Sequence, residues 1–305
     1  MRIFITGSTG FVGKHLVHLL LKKNIKILAL VRNKKKIIIN KNIKYVYGSI
    51  ENPKKYLQSV IKFNPDFLIH LSYTGIPDYS LENSYKNLKI SINFFESLLK
   101  KVKIKKIIAA GSCWEYSLRS GKLNELDNDS PDSYFAFSKN SLMSFISLKS
   151  REMSFDFCWN RIFYIYGEGQ KQTSLIPNIF SSFDKNKLPN IRNLYNENDF
   201  IYVKDVAKII YYQIIKKTPS GIYNIGSGKK ISVKNIIKII QKKFFNHINI
   251  NKLLNQKYIK KESYYANTNK INKIIKSNNY TKIDKGIENY YNYFLKEKNR
   301  DENKA

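Results

Sequence analysis

The run over 2–6, apolar at 3–5, is followed at once by glycines and then, over 15–23, by apolar positions at helical spacing. That order predicts a short buried strand, a tight turn and a helix. Further apolar runs predict strands at 25–31, 43–47, 67–71 and 106–110, with helical periodicity over 53–62 and 86–101 between them. Asn64-Pro65-Asp66 marks the turn before the fourth strand. Strands alternating with helices in this way build a parallel sheet covered on both faces, an α/β architecture.

The first turn is Thr6-Gly7-Ser8-Thr9-Gly10-Phe11-Val12-Gly13. Glycines three apart, between a strand and a helix, let the backbone approach a pyrophosphate, while the helix N-terminus supplies N–H donors and the positive end of its dipole. The context points to a dinucleotide rather than a plain turn. Cofactor type is read at the end of the second strand, where a carboxylate would accept ribose hydroxyls and a cation would pair with a 2′-phosphate. That stretch is Leu30-Val31-Arg32-Asn33-Lys34, without a carboxylate, and the guanidinium of Arg32 suits phosphate. NADP is therefore preferred, with NAD as the alternative.

Composition changes the picture little. Apolar residues at 43% and charged ones at 25% are ordinary for a folded chain of 305 residues. The 54 Lys+Arg against 23 Asp+Glu leave +31, which raises nucleic acid as a partner. Only seven of those cations are arginine, the residue favoured for bidentate phosphate and base contacts, so the excess reads as chain-wide lysine bias and nucleic acid is disfavoured. Cys113 and Cys158 lie too far apart for a redox or metal pair, and His15, His18, His70 and His247 do not cluster with carboxylates, so no metal is expected. Neither a signal peptide nor a continuous apolar span is legible, which predicts a cytoplasmic protein away from membranes.

The glycine loop, Pro65-Asp66-Phe67-Leu68-Ile69-His70-Leu71-Ser72, Asn87 with its neighbours, and Gly111-Ser112-Cys113-Trp114-Glu115-Tyr116 resemble the extended short-chain dehydrogenase/reductase family of nucleotide-sugar epimerases, dehydratases and reductases. The likeness continues through Arg161-Ile162-Phe163-Tyr164-Ile165-Tyr166-Gly167, Asp199-Phe200-Ile201-Tyr202-Val203-Lys204-Asp205-Val206 and Gly221-Ile222-Tyr223-Asn224-Ile225-Gly226-Ser227-Gly228, nearly the whole chain in order. It implies a Rossmann-type doubly wound parallel sheet over 1–166, rejoined by 195–216, and a smaller C-terminal substrate-binding lobe from 167–194 and 217–297, with 298–305 expected to fray. It also implies a nucleotide-sugar substrate and a homodimer through the helices at 86–101 and around Lys139. Asp205 is expected to cap the helix that follows it.

Residue by residue, the resemblance assigns the cofactor to Gly7, Thr9, Gly10, Phe11, Val12, Gly13, Arg32, Ser49, Ile50, Leu71, Ser72, Asn87 and Lys139. It assigns the substrate to Ser112, Cys113, Trp114, Tyr116 and Asn198. Two of these depart from the family: Ser49 stands where many relatives carry Asp for the adenine, and Asn198 where many carry Arg for the diphosphate.

The resemblance implies that Ser112 hydrogen-bonds the reacting sugar oxygen and that a Tyr four residues before Lys139 transfers the proton. That position is Phe135. On a helix, residues 135 and 139 lie about 40° apart, whereas Tyr134 is turned by roughly a further 100°. Phenylalanine has no proton to give. Three readings remain open: Tyr134 slips into place through an irregular first turn; Tyr116, Cys113 or ordered water passes the proton; or the protein binds cofactor and sugar with little turnover. Cys113 also suits plain packing. Cys113-Trp114 stands where 4,6-dehydratases place Asp-Glu, so dehydration is disfavoured and a 4-keto reductase or a 4-epimerase in surface-polysaccharide synthesis is favoured. A non-catalytic binding protein on the same fold, recruited to RNA, is the alternative.

Overall fold

A computed structural model of the chain describes residues 1–33, 37–117, 120–127, 130–257, 262–276 and 279–302. In chain order it forms β1 (Arg2–Thr6), α1 (Phe11–Lys22), β2 (Lys26–Val31), β3 (Ile43–Tyr47), α2 (Leu57–Phe63), β4 (Phe67–His70), α3 (Leu81–Leu99), β5 (Lys106–Ser112), β6 (Ser120–Leu123) and α4 (Tyr134–Met153). There follow β7 (Asp156–Ile162), β8 (Tyr164–Tyr166), α5 (Leu175–Asp184), β9 (Glu197–Tyr202), α6 (Val203–Ile215), β10 (Gly221–Ile225) and β11 (Lys230–Ser232). The chain closes with α7 (Val233–Phe244), α8 (Asn251–Leu254), β12 (Ser263–Ala266), α9 (Asn269–Ile275) and α10 (Ile283–Glu302).

Seven strands form one sheet in the order β10-β7-β5-β4-β1-β2-β3, every neighbouring pair parallel. From β1 the chain first adds β2 and β3 on one side, then returns to add β4 on the other. This reversal beside β1 opens a crevice at the C-terminal strand ends, where ligands of such sheets bind. One face buries Leu16, Val17 and Leu20 of α1 against Val206, Ile209 and Ile210 of α6. The other buries Phe94, Phe95 and Leu98 of α3 with Leu142 and Ile146 of α4. The helix at 86–101 in fact begins at Leu81, because Ser80 Oγ accepts from Asn83 N at 3.3 Å and caps an extra turn.

A second sheet runs β11-β9-β12-β6, with β8 paired to β9. It lies beside an aromatic core in which Phe180 and Phe183 of α5 meet Ile236 and Ile240 of α7 and Tyr290 of α10. Asp199 of β9 holds this region together, accepting from Ser227 N, Ser227 Oγ, Gly228 N and Ala266 N at 2.6–3.1 Å.

The expected boundaries shift in four places. β10, assigned to the lobe within 217–297, completes the large sheet, because its buried Tyr223, Asn224 and Ile225 cover the open edge of β7. β9, assigned with 195–216 to the large sheet, belongs to the second one, and only α6 returns to pack on α1. β6, from within 1–166, pairs with β12. Of the tail expected to fray over 298–305, the first part continues α10 to Glu302, with Lys298 Nζ donating to both carboxylate oxygens of Asp184 at 2.9 and 3.0 Å, and 303–305 lie outside the described residues. Asp205 does not cap α6 either. It is the third residue of that helix, and its Oδ2 accepts instead from Thr281 N at 2.7 Å.

Candidate active site

Gly7 takes φ +74°, and a Cβ there would stand 2.7–2.9 Å from the backbone of Leu71 and Ser72 at the end of β4. Gly13 is tighter still, since its Cβ would lie 2.0 Å from Gly7 O. Gly10 is the N-cap of α1 and, lacking a side chain, leaves that helix end uncapped. The first-turn amides therefore point out over the crevice, as an anion requires. His70 Nδ1 meets Thr6 Oγ1 at 3.0 Å and joins the ends of β1 and β4 beneath the loop. Burial, with Lys139 nearby, lowers this imidazole to about 3, so it stays neutral. Arg32 is exposed at the end of β2, while Ser49 Oγ accepts from Glu51 N at 3.3 Å and Ile50 is buried beside it. The glycine turn, the uncapped start of α1 and the ends of β1 and β4 thus meet at one crevice.

Ser112 ends β5, two strands from Gly7. Its N–H donates to Glu115 Oε1 at 2.6 Å, and its Oγ accepts from Trp114 N at 3.2 Å. Glu115 Oε2 in turn accepts from Trp159 Nε1 at 2.8 Å and Arg161 Nε at 3.0 Å, with both members of the ion pair wholly buried. Lys139, on α4, donates from Nζ to Ala110 O at 2.9 Å. The helix starts regularly, since Ser133 Oγ accepts from Ala136 N at 3.3 Å. This register keeps Phe135 buried and turns Tyr134 outward at 55% exposure.

Several assigned residues lie elsewhere than expected. Tyr134 faces away from the crevice and cannot replace the missing phenol. Tyr116 is fully buried, donating to Asn224 Oδ1 at 2.7 Å beneath the Arg161 guanidinium, and so faces neither substrate nor proton path. Cys113 packs among Leu123, Phe163 and Tyr264. Asn87 spends its amide on the backbone, accepting from Thr74 N at 2.9 Å and donating to Thr74 O and Asn83 O at 3.1 and 2.8 Å, so it shapes the β4–α3 loop rather than reaching a cofactor. Asn198 is buried, and its Oδ1 has no hydrogen-bond partner among the described residues. The second lobe carries instead a cavity of about 560 Å³ walled by Arg192, Asn193, Asn196 and Asn178.

Sequence reasoning missed that cavity, the Glu115–Arg161 pair and two tyrosines, Tyr73 and Tyr79, whose rings flank Phe135 at 5.3 and 5.0 Å. One signal was available for the pair. Arg161 interrupts the otherwise uncharged run Phe157-Cys158-Trp159-Asn160-Arg161-Ile162-Phe163, and a guanidinium in a buried strand needs a carboxylate.

Burial lowers the Lys139 ammonium to about 8 from 10.5, with Glu115 opposing. Below pH 8 folded and unfolded chains both carry the proton, and the folded state bears the whole desolvation cost. Between 8 and 10.5 the folded chain has released it while the unfolded one has not, so this residue's contribution to stability rises with pH across that window. Lys139→Met should then be more stable than wild type by about 2 kcal/mol at pH 7, after loss of the Ala110 bond, with the gap closing toward pH 10.5. Urea denaturation across this range checks it, and a constant gap contradicts it.

The matches to known proteins agree with this geometry. The chain belongs to the NAD dependent epimerase/dehydratase family, whose model matches residues 3–226. It is 26% identical over 259 residues to the dTDP-4-dehydro-6-deoxyglucose reductase of Escherichia coli, covering 78% of this chain and 80% of the relative. With the CDP-abequose synthase of Salmonella muenchen it shares 29% identity over 258 residues, covering 82% and 83%. The fold superposes on the UDP-glucuronic acid 4-epimerase of Bacillus cereus, solved with NAD, with a TM-score of 0.82 at 19% identity over 97% of this chain and 99% of the other. Among the described residues no helix is long and apolar enough to cross a membrane, and no group of three or more His, Cys, Asp or Glu could hold a metal.

Proposed function

We propose that the chain is a nucleotide-sugar oxidoreductase acting at C4 of the hexose, as a 4-keto reductase or a 4-epimerase, with NADP(H) preferred over NAD(H). One observation carries the reading: the uncapped glycine loop, Ser112 and Lys139 meet at the C-terminal ends of the neighbouring strands β1, β4 and β5. The dTDP-4-dehydro-6-deoxyglucose reductase among the relatives supports the reductase side.

Gly7, Gly10 and Gly13 with the first turn of α1 hold the diphosphate, Arg32 takes a 2′-phosphate, and Lys139 holds ribose hydroxyls. The bound dinucleotide would exchange hydride with the sugar carbon. Ser112 Oγ, already accepting from Trp114 N, keeps its own proton for the sugar oxygen. Arg192 offers a guanidinium to the substrate's phosphates at the lobe cavity. Cys113 and Trp114 provide no acid or base pair for dehydration. The second sheet with α5, α7 and α10 serves as the substrate lobe, and copies pair through α3 and α4, where Tyr85, Phe137 and Leu148 are exposed.

Titration with NADPH and NADH, then turnover of dTDP-4-keto-6-deoxyglucose with NADPH and of UDP-glucose with NAD⁺, tests the reading. NADPH should bind more tightly, and one of the two sugars should react. Failure to bind either dinucleotide removes the proposal, and preference for NADH removes the role of Arg32. Sedimentation as a single 35.8 kDa chain would remove the dimer.

A further inference from the structure

We infer that Tyr79, on the loop between β4 and α3, supplies the phenol that position 135 lacks. The inference rests on the oxidoreductase reading above. It follows from what each tyrosine hydroxyl near Ser112 and Phe135 is doing. Tyr134 faces outward, and Tyr116 donates to Asn224 Oδ1. The hydroxyls of Tyr164 and Tyr264 share a 2.6 Å hydrogen bond, and Trp114 Nε1 also donates to Tyr164. Tyr73 lays its ring face 4.7 Å from Lys139 Nζ and buries its hydroxyl completely, with Ser84 and Ser138 alongside.

Tyr79 differs from Tyr73, whose hydroxyl likewise lacks a hydrogen-bond partner among the described residues, in that its hydroxyl is not sealed from solvent. Its ring stands edge-on to Phe135 at 5.0 Å and 4.9 Å from Trp114, the residue whose amide donates to Ser112 Oγ. It is only half-buried, and its hydroxyl makes no hydrogen bond among the described residues. The phenol ring therefore borders the apolar ring occupying the usual place of the acid and the indole of the residue that follows Ser112 by two. Its loop is also held in position. Asn83 Nδ2 donates to Asp78 O at 2.7 Å and Thr74 O at 3.1 Å, Asp78 Oδ1 accepts from Ser80 N at 2.9 Å, and Lys171 Nζ donates to Ile76 O. Asn87, through its bonds to Thr74, is a positioning residue for this same loop.

In the direction of reduction, the reductant is a reduced nicotinamide dinucleotide, and its hydride becomes the new C–H bond at C4 of the ketone. The Tyr79 O–H bond breaks, its proton passes to the sugar O4 held by Ser112, and the phenolate recovers a proton from water on its open side. Phe135 then serves as an apolar wall that keeps the phenol in line.

Tyr79→Phe keeps the ring and its packing, so the folded protein is available for the test. With either probe sugar, kcat should fall by about 10²- to 10⁴-fold with KM little changed. Adding Phe135→Tyr to that variant should restore most of the loss. A second readout needs no turnover. In protein saturated with NADP⁺, the ultraviolet difference between wild type and Tyr79→Phe should titrate as one phenol, with its midpoint lower than without the dinucleotide. Unchanged kcat in Tyr79→Phe, or a phenol midpoint indifferent to NADP⁺, overturns the assignment. Activity that appears only once Phe135→Tyr is introduced also overturns it while leaving the oxidoreductase reading standing. Absence of dinucleotide binding removes both.

Discussion

Gly13→Ala is expected to lower dinucleotide affinity about 100-fold or more and to cost the free protein roughly 1–3 kcal/mol. The added methyl would stand 2.0 Å from Gly7 O and 2.9 Å from the carbonyl carbons of Gly7 and Ser8, all backbone atoms that no side-chain rotation can move aside. Relief requires the turn to open, and opening it carries the first-turn amides of α1 away from the phosphates. Gly7→Ala should follow closely, because φ +74° and contacts of 2.7–2.9 Å with Leu71 and Ser72 act together. Gly10→Ala should be milder: its backbone is extended, and its nearest contact is 3.1 Å. Fluorescence titration of the three variants with NADPH measures the series. Near-native binding by Gly13→Ala would mean that the dinucleotide lies elsewhere.

Arg161→Met is expected to destabilise the fold by about 3–5 kcal/mol, read as a lower urea midpoint at unchanged slope. Desolvation works against the Arg161 charge, yet the Glu115 carboxylate beside it holds the guanidinium above its usual pKa. Removing Arg161 leaves Glu115 wholly buried with, among the described residues, Trp159 Nε1 and Ser112 N as its remaining donors. Ser112 feels the loss, because that carboxylate fixes its amide at 2.6 Å. Adding Glu115→Leu to Arg161→Met should recover much of the stability, since a pair replaced by apolar groups leaves no orphaned charge. It should not recover the placement of Ser112. A single variant as stable as wild type would show that the pair contributes nothing to the fold.

The Phe135 position illustrates how far the residues alone carry the reading. The spacing to Lys139 predicts a shared helix face, and the structure buries both while turning Tyr134 outward. The spacing could not tell which other phenol comes near, since Tyr79 and Phe135 are 56 positions apart and meet only through the order of strands β4 and β5. Tyr116 shows the converse. Its place in the run beginning at Ser112 suggested the pocket, but the run bends through a single turn at Cys113–Glu115 and delivers the ring beneath Arg161.

By itself the sequence determined the alternating strands and helices of the first half, the glycine turn opening α1 and the absence of a proton donor four residues before Lys139. These depend on near neighbours, through backbone sterics, capping and the helical repeat. Tertiary structure alone decided that β10 closes the large sheet, that β6 crosses to the second, that Glu115 answers Arg161 and that the Tyr79 ring comes to stand against Phe135. Each of these joins segments far apart in the chain, and only the packed fold brings them close enough for burial, charge and hydrogen bonding to select among alternatives that a local pattern leaves equal.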